Sequence, residues 1–234
     1  IKMGTVAKRD GYKTGYLTAQ PGGRKEQSET VTGLQPLLLN QKKECLLYVP
    51  AGYTPGTPAA LALMLHGAGG IAAHGMSYMQ AYADAKNIIL LCPASHDYSW
   101  DIIAANSFST DVIFIDHALS YVFGRFSIDS LRVAIGGFSD GASYALCIGL
   151  SNGNLFTHII AFSPGFYYTY ENRGKPRVYI SHGKEDDVLP INPCSRRIIQ
   201  ELNGEDLAIV YEEFDGRHEL PLSNSKAAVD WFMQ

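Results

Sequence analysis

The amino-acid sequence predicts a single α/β domain with a mainly parallel sheet and helices on both of its faces. Three observations indicate this fold class. The length of 234 residues fits one domain of ordinary size, and 46% of the residues are hydrophobic while 18% are charged. Strand-like apolar runs alternate with segments of helical periodicity along most of the chain. Two of these runs, residues 61–65 and 88–92, are apolar without alternation, which is typical of parallel strands buried on both faces.

The first 40 residues are the least regular part of the chain. We interpret residues 1–40 as an N-terminal lead-in that belongs to the same domain as residues 41–234. Short apolar segments at 15–19 and 37–39 are candidate edge strands or a small hairpin, on either side of a polar turn at 20–26.

From residue 45 onward, strands and helices are expected to alternate. Strands are predicted, in chain order, at Cys45–Val49, 61–65, 88–92, 132–136, 159–162, 178–181 and 207–212. Helices are predicted at 78–86, from Thr110 to about 123, and at 140–150, 195–202 and 226–232. Because ligands bind at the carboxyl ends of the strands in such sheets, the residues just after each strand are the candidate site.

The charge balance and the cysteines argue against several classes of function. The 19 basic and 23 acidic residues give a net charge of −4, which is unlike a nucleic-acid-binding surface. No apolar run reaches the roughly 18 residues of a membrane span. The four cysteines are far apart and form no C-x-x-C pair, so we predict no disulfide framework and no zinc site. We also expect no other metal and no cofactor. Reduced thiols and the lack of a visible secretion signal favour the cytoplasm, although a signal already removed leaves the same picture.

The strongest chemical signal is the segment Gly137-Phe138-Ser139-Asp140-Gly141, which lies between a predicted strand and a predicted helix. In a G-x-S-x-G turn, small flanking residues permit a sharp, strained backbone that lifts the serine hydroxyl above the sheet. The turn also places the serine at a helix N-terminus, where negative charge is stabilised. A glycine-rich turn with a serine cap is the structural alternative, and the strand-turn-helix context favours a nucleophile at Ser139.

A serine nucleophile requires a base, because a free hydroxyl is a weak nucleophile at neutral pH. His218 lies in a loop between the last predicted strand and the last predicted helix, after the serine in sequence. His66 and His182 also follow predicted strands directly, but a glycine-rich stretch after His66 suits another role. We therefore predict His218 as the base.

The imidazole in turn requires an acid that holds its tautomer and stabilises the imidazolium. Three neighbouring acids follow the predicted strand at 178–181, namely Glu185, Asp186 and Asp187. The residues alone narrow the choice only to this loop, because any of the three can be a solvated charge.

A second glycine-rich turn, Leu65-His66-Gly67-Ala68-Gly69-Gly70, follows the apolar strand at 61–65. Such a turn frees backbone N–H groups to point into the site, where an oxyanion hole uses one of them together with the N–H after the nucleophile. Here these are Ala68 (or Gly67) and Asp140. A phosphate-binding loop is disfavoured because neither glycine-rich phosphate signature is present, and a structural turn is the remaining alternative.

Taken together, these motifs resemble the α/β-hydrolase superfamily, and most of all its phospholipase/carboxylesterase branch, with dienelactone-hydrolase-like relatives as neighbours. The resemblance extends from about Cys45 to the C-terminus, and the chain order of serine, acid and histidine is that of the superfamily. In that family the acid is the fifth residue of an H-G-x-x-D stretch, which implies Asp186 rather than Asp187. The resemblance implies an α/β-hydrolase fold, and the short segments between the predicted strands leave no room for a large lid domain.

One departure from this branch bears on its activity. Its acyl-protein thioesterases usually have Gln after the nucleophile, whereas this chain has Asp140. The departure leaves the oxyanion-hole amide intact but weakens any prediction of depalmitoylating activity.

The substrate pocket is predicted from loops at the same edge of the sheet. The candidate lining residues are His66, Gly67, Trp100, Phe166 and Tyr167. Packing in the core or against a lid is the alternative for the aromatic residues. Because no inserted segment is large enough for a lid domain, we expect a small, fairly open site that takes short-acyl or small soluble esters.

The sequence thus predicts a serine carboxylesterase that works through Ser139, His218 and Asp186 and forms an acyl-enzyme intermediate. Its expected partner is a small-molecule ester, with no nucleic acid and no membrane span, and we expect a monomer or homodimer. The alternatives are a thioesterase, an amidase or a polyester hydrolase on the same fold. A binding protein that has kept the fold without catalysis is the other class considered.

Overall fold

The computed structural model describes residues 11–22, 31–39 and 44–234. In chain order the strands are β1 Gly33–Pro36, β2 Cys45–Val49, β3 Ala59–Leu65, β4 Ile88–Pro93, β5 Ile128–Phe138, β6 His158–Phe162, β7 Arg177–Gly183 and β8 Ile209–Phe214. The helices are α1 Ala72–Ser77, α2 Gln80–Lys86, α3 Asp101–Ala104, α4 Thr110–Arg125, α5 Asp140–Ser151, α6 Arg197–Leu202 and α7 Leu222–Phe232. A π-helical turn, Asn192–Arg196, precedes α6.

The strands form one sheet in the order β1-β2-β4-β3-β5-β6-β7-β8. Strands β3 to β8 are mutually parallel, whereas β2 pairs with β4 in the antiparallel sense and β1 does so with β2. The expectation of a single α/β unit with a mainly parallel sheet is confirmed.

Two apolar layers cover the sheet. Alternate residues of β3 point to opposite faces, so Leu61 and Leu63 join one layer while Ala62 and Met64 join the other. Helices α4, α5 and α6 pack on the first face, and α1, α2 and α7 pack on the second. Every residue of β3 is buried, which explains why its sequence is continuously apolar.

The connections that leave β3 and β5 run in opposite directions across the sheet, from β3 to β4 on one side and from β5 to β6 on the other. From β3 the chain passes through α1 and α2 on one face to β4, and from β5 it enters α5 on the other face. The loops after β3 and β5 therefore separate at the carboxyl edge and leave a crevice between them, which is where open α/β sheets bind ligands.

The candidate edge strands at 15–19 and 37–39 are wrong, because the edge strand is β1, Gly33–Pro36. In the first segment the amides of Thr18 and Ala19 donate to Asp116 Oδ1, each at 2.7 Å, so a buried carboxylate rather than a neighbouring strand satisfies them. In the second segment Leu38 is 85% exposed. A short apolar segment does not indicate whether its backbone pairs with a strand or with a side chain, or whether its side chains are exposed.

The helix predicted at 78–86 begins two residues later, as α2, and a separate helix, α1, precedes it. The polar turn predicted at 20–26 lies within the described residues only as far as Gly22. Residues 1–10, 23–30 and 40–43 are outside the described part, and the division of the domain at residue 40 stays a prediction. All four cysteines are buried and none forms a disulfide. Among the described residues, no helix combines the length and apolarity that crossing a membrane requires.

Candidate active site

Ser139 occupies a strained turn between β5 and α5. Its φ of 58° and ψ of −121° lie outside the regions that non-glycine residues normally adopt, and its amide donates to Phe162 O at 2.9 Å. A Cβ on Gly137 would lie 2.5 Å from Leu65 O, and one on Gly141 would lie closer still to the same oxygen. The glycines of the motif are therefore required by close backbone approach, and the turn holds the serine at the N-terminus of a twelve-residue helix.

The structure brings Ser139, His218 and Asp186 into one hydrogen-bonded chain. His218 Nε2 lies 2.9 Å from Ser139 Oγ, and His218 Nδ1 lies 2.6 Å from Asp186 Oδ2. The three side chains come from the ends of three parallel strands, β5, β7 and β8. The ring of Phe138 packs on the imidazole with a centroid distance of 4.7 Å, so the histidine has an apolar wall on one side.

Asp186 is a buried carboxylate with several donors. Its Oδ1 accepts from the amides of Val188 at 3.0 Å and Leu189 at 2.7 Å. Burial alone raises the pKa of Asp186, but the hydrogen bonds from His218 and from these two amides outweigh it, so that the pKa lies below its usual value. Asp186 is therefore ionised at neutral pH beside the His218 ring.

Asp187 has a different environment from its neighbour. Its side chain is 62% exposed and lies 3.7 Å from Arg217 Nη1 at the surface. The structure therefore puts Asp186, and not Asp187, next to His218.

The glycine-rich loop after β3 runs beside the serine. A Cβ on Gly67 would lie 3.3 Å from Ser139 Cβ, which places this backbone in contact with the turn. The amide of Gly69 donates to Tyr98 O at 2.7 Å and that of Gly70 to Gly67 O at 3.0 Å. Within the described chain, no hydrogen bond uses the amide of Ala68.

The amide of Asp140 likewise takes part in no hydrogen bond within residues 11–22, 31–39 and 44–234. The side chain of Asp140 is occupied elsewhere, because Ser99 Oγ donates to its Oδ2 at 2.5 Å. The two amides predicted for the oxyanion hole are thus both unpaired in this part of the chain, on the two loops that border the crevice.

Two of the residues predicted for the pocket do not line it. His66 and Trp100 are both completely buried. His66 Nε2 accepts from Ser95 N at 2.9 Å, and Trp100 Nε1 donates to His66 O at 2.9 Å. These side chains brace the glycine-rich loop from beneath. Both were assigned to the pocket because they follow a strand, and this position does not indicate whether the side chain is buried beneath the loop or lines the crevice.

Two grooves open at the carboxyl edge of the sheet. The first, which we call the histidine groove, has a volume of about 380 Å³; its lining includes Gly67, Ala68, Tyr78, Phe138, His218 and Leu220. Tyr78 was not among the predicted site residues, and burial raises its pKa to about 12, so its hydroxyl keeps its proton at neutral pH.

The second groove, which we call the aromatic groove, has a volume of about 600 Å³. It is lined by Ile102, Ile103, Asn106, Phe166, Tyr167, Tyr168 and Tyr170. Of the predicted pocket residues, Gly67 thus lines the histidine groove, while Phe166 and Tyr167 line the aromatic one. Among the described residues, no cluster of three or more His, Cys, Asp or Glu side chains is arranged to hold a metal ion.

The sheet order, the serine turn and the placement of the acid and histidine after later strands define an α/β-hydrolase fold, as the sequence motifs predicted. The chain belongs to the family described as putative esterase, whose model matches residues 38–169, more than half of the chain.

Curated proteins with similar sequences carry the name esterase. The chain is 28% identical over 173 residues to feruloyl esterase C from Emericella nidulans; the match covers 68% of this chain and 63% of that protein. The chain therefore spans less than two thirds of the length of the curated relatives that it matches.

Among solved structures, the chain is similar to S-formylglutathione hydrolase from Staphylococcus aureus, with a TM-score of 0.69 and 16% identity over 88% of this chain and 100% of that one. It is also similar to a ferulic acid esterase from Anaeromyces mucronatus, with a TM-score of 0.60 and 17% identity over 93% and 96% of the two chains. At this level of identity, these similarities show the fold alone.

Proposed function

We propose that the protein is a serine carboxylesterase in which Ser139 is the nucleophile, His218 the general base and Asp186 the acid that orients it. The observation that carries the proposal is the unbroken chain of hydrogen bonds from Ser139 Oγ through the imidazole to Asp186. Membership of the putative esterase family supports the reaction type.

The mechanism follows from this geometry. His218 Nε2 accepts the hydroxyl proton as Ser139 Oγ attacks the ester carbonyl, and Asp186 stabilises the imidazolium that forms. The amides of Ala68 and Asp140 donate to the oxyanion of the tetrahedral intermediate, aided by the N-terminus of α5. His218 then protonates the leaving alcohol, which leaves an acyl group on Ser139. Water attacks this acyl-enzyme with His218 again as base, and the free acid is released.

Short-acyl or small soluble esters are the substrates that we propose. The longest connection between successive strands of β2 to β8, residues 94–127, carries only α3 and α4 and is no lid domain. In the described part of the chain, no lid domain therefore covers the two grooves, which suits small esters. We further propose a monomer or homodimer in the cytoplasm, a location supported by the four buried, unpaired cysteines.

Esters of aromatic acids are a second candidate, and the aromatic groove favours them. Four aromatic side chains and two isoleucines offer flat apolar surface for a ring, and Asn106 offers a polar group. Two relatives that carry the name feruloyl esterase support the same substrate class.

The test is a panel of p-nitrophenyl esters from acetate to palmitate together with methyl ferulate, assayed with the parent protein and Ser139→Ala. We expect hydrolysis to fall to background in Ser139→Ala, and acetate or butyrate to be preferred over palmitate. Ser151→Ala is the matched control, because Ser151 is a buried serine at the far end of α5. Parental activity in Ser139→Ala contradicts the nucleophile, and a rate that rises steadily up to palmitate contradicts the substrate class.

A further inference from the structure

Asp186 contacts a second imidazole that the mechanism above does not use. His182, near the end of β7, is completely buried, and its Nε2 lies 3.1 Å from Asp186 Oδ2, the same oxygen that receives His218 Nδ1. The other carboxylate oxygen accepts the amides of Val188 and Leu189. Asp186 is therefore in contact with four nitrogen atoms, two amides at Oδ1 and two imidazoles at Oδ2.

The contacts of His182 determine its tautomer. Its Nε2 faces two acceptors, Leu189 O at 2.8 Å and Asp186 Oδ2 at 3.1 Å, so this nitrogen must carry a proton. Its Nδ1 lies 2.6 Å from Ser195 Oγ, and in the neutral ring it accepts the hydroxyl proton. Ser195 thus fixes the N–H of His182 on the side that faces Asp186.

Burial lowers the pKa of His182 and keeps the ring neutral at working pH, although the nearby carboxylate opposes this effect. The charged and titratable groups around it are few. Asp186 faces it from its own loop, His218 from the loop after β8, and the buried Cys194 from the π-helical turn lies near Asp186. Glu213, its partner in the β7–β8 ladder, is paired with Arg196 at 2.7 Å.

We propose that His182 is a positioning residue for the esterase reaction, which acts by holding Asp186 in the orientation that His218 requires. The inference rests on the proposed function, because it assigns His182 to the same reaction. Rotation of the Asp186 carboxylate breaks its bond to one or both imidazoles, and the N–H of His182, clamped between Leu189 O and Asp186, opposes that rotation. Sharing Oδ2 with a second donor also limits the negative charge that Asp186 presents to His218.

Two substitutions of similar chemistry separate positioning from packing. In His182→Gln, the amide nitrogen reaches about as far as Nε2 and keeps a donor toward Asp186. In His182→Asn, the amide ends near the position of Nδ1, so it retains contact with Ser195 but cannot reach Asp186. Ser195→Ala is a milder third variant, since it removes the hydroxyl that fixes the tautomer and leaves both histidines in place.

We expect kcat for p-nitrophenyl acetate to fall about tenfold in His182→Asn, about threefold in Ser195→Ala and less than about twofold in His182→Gln, with KM little changed. The acidic limb of the pH profile of kcat/KM should move to higher pH in His182→Asn. The reason is that Oδ2 then presents more of its charge to His218, which holds its proton to higher pH. A purely structural role lowers the thermal midpoint without moving this limb.

Parental kcat and an unmoved limb in both His182→Asn and Ser195→Ala overturn the proposal, as do equal losses in His182→Asn and His182→Gln. If His182→Asn does not fold, the pH profile of Ser195→Ala decides. Ser139→Ala is assayed in parallel. Hydrolysis that survives in Ser139→Ala overturns the proposed function and this inference together, whereas its loss there beside parental kinetics in the His182 and Ser195 variants overturns this inference alone.

Discussion

At the scale of single residues, the clearest contrast is between two neighbouring aspartates. Asp186 is buried and accepts hydrogen bonds from His218 and two backbone amides, whereas Asp187 is exposed near Arg217. Nothing in their local sequence separates them, because the difference arises from the path of the loop after β7 and from its distant neighbours, Arg217 and His218. The family resemblance selected Asp186 where the residues alone had left three acids open.

This contrast gives a matched pair of variants. We expect Asp186→Asn to lower kcat by about 10⁴-fold, because an amide favours the wrong imidazole tautomer and stabilises no imidazolium. Asp187→Asn is expected to stay within about twofold of the parent, since it changes only an exposed charge. Steady-state kinetics with p-nitrophenyl acetate measure both, and circular dichroism checks the fold. Similar kinetics in the two variants would remove Asp186 from the proposed mechanism.

Local sequence indicates that a residue follows a strand, but it does not indicate what the side chain contacts. Ser139 and His218 were predicted from local signals, a strained turn and a loop after a strand. The structure places their side chains 2.9 Å apart, and their catalytic roles stay predictions. His66 and Trp100 were wrongly assigned to the pocket, since position after a strand does not distinguish a side chain that lines a crevice from one that braces it from below. His182 follows its strand in the same way, and only its contacts reveal its relation to Asp186.

At the scale of elements, the sheet itself explains why the site residues meet. The nucleophile strand β5 lies beside β3, and helices leave these two strands on opposite faces, so the glycine-rich loop and the serine turn border one crevice. Strands β7 and β8 supply Asp186 and His218 from the same edge. Ser139 and His218, 79 positions apart in sequence, therefore reach hydrogen-bonding distance.

The central strands were predicted from their sequence, and so were β2, β8 and α7 toward the edges, whereas three short elements were missed. Strands such as β3 and β4 are buried on both faces, so their apolar runs are continuous and unambiguous. The short elements β1, α1 and α3 have six residues or fewer, which is too short to display a period. Their conformation depends on tertiary contacts that no local pattern contains.

At the scale of the whole molecule, the stability of the fold depends on pH through a histidine far from the site, His158. His158, at the end opposite the site, packs against Trp231 and Phe232 with its Nε2 3.4 Å from Arg177 Nη1. Burial, followed by the charges of Arg177 and Arg132, lowers its pKa to about 4. An unfolded histidine titrates near 6.5, so the stability contributed by neutral His158 is present above that pH and is lost as the pH falls toward 4.

We therefore expect the thermal midpoint of the parent to fall between pH 6.5 and pH 4 more steeply than that of His158→Gln, by about 2–4 °C for each kcal/mol lost. Asp111 contributes with the opposite sign. Burial and the neighbouring Asp101 raise its pKa to about 6, which favours the fold as the pH falls through that range. Because Asp111 is unchanged in both proteins, the difference between their melting curves isolates His158. Parallel pH dependences would contradict the role assigned to this histidine.

We propose that the fold makes the hydroxyl of Ser139 reactive through His218, and covalent labelling of this hydroxyl tests that proposal. The protein is treated with a fluorophosphonate probe, and the adduct is located by peptide mapping and mass spectrometry. We expect one adduct on Ser139, no adduct in Ser139→Ala and slow labelling in His218→Ala. An unlabelled parent, or equal labelling of Ser139→Ala, would contradict it.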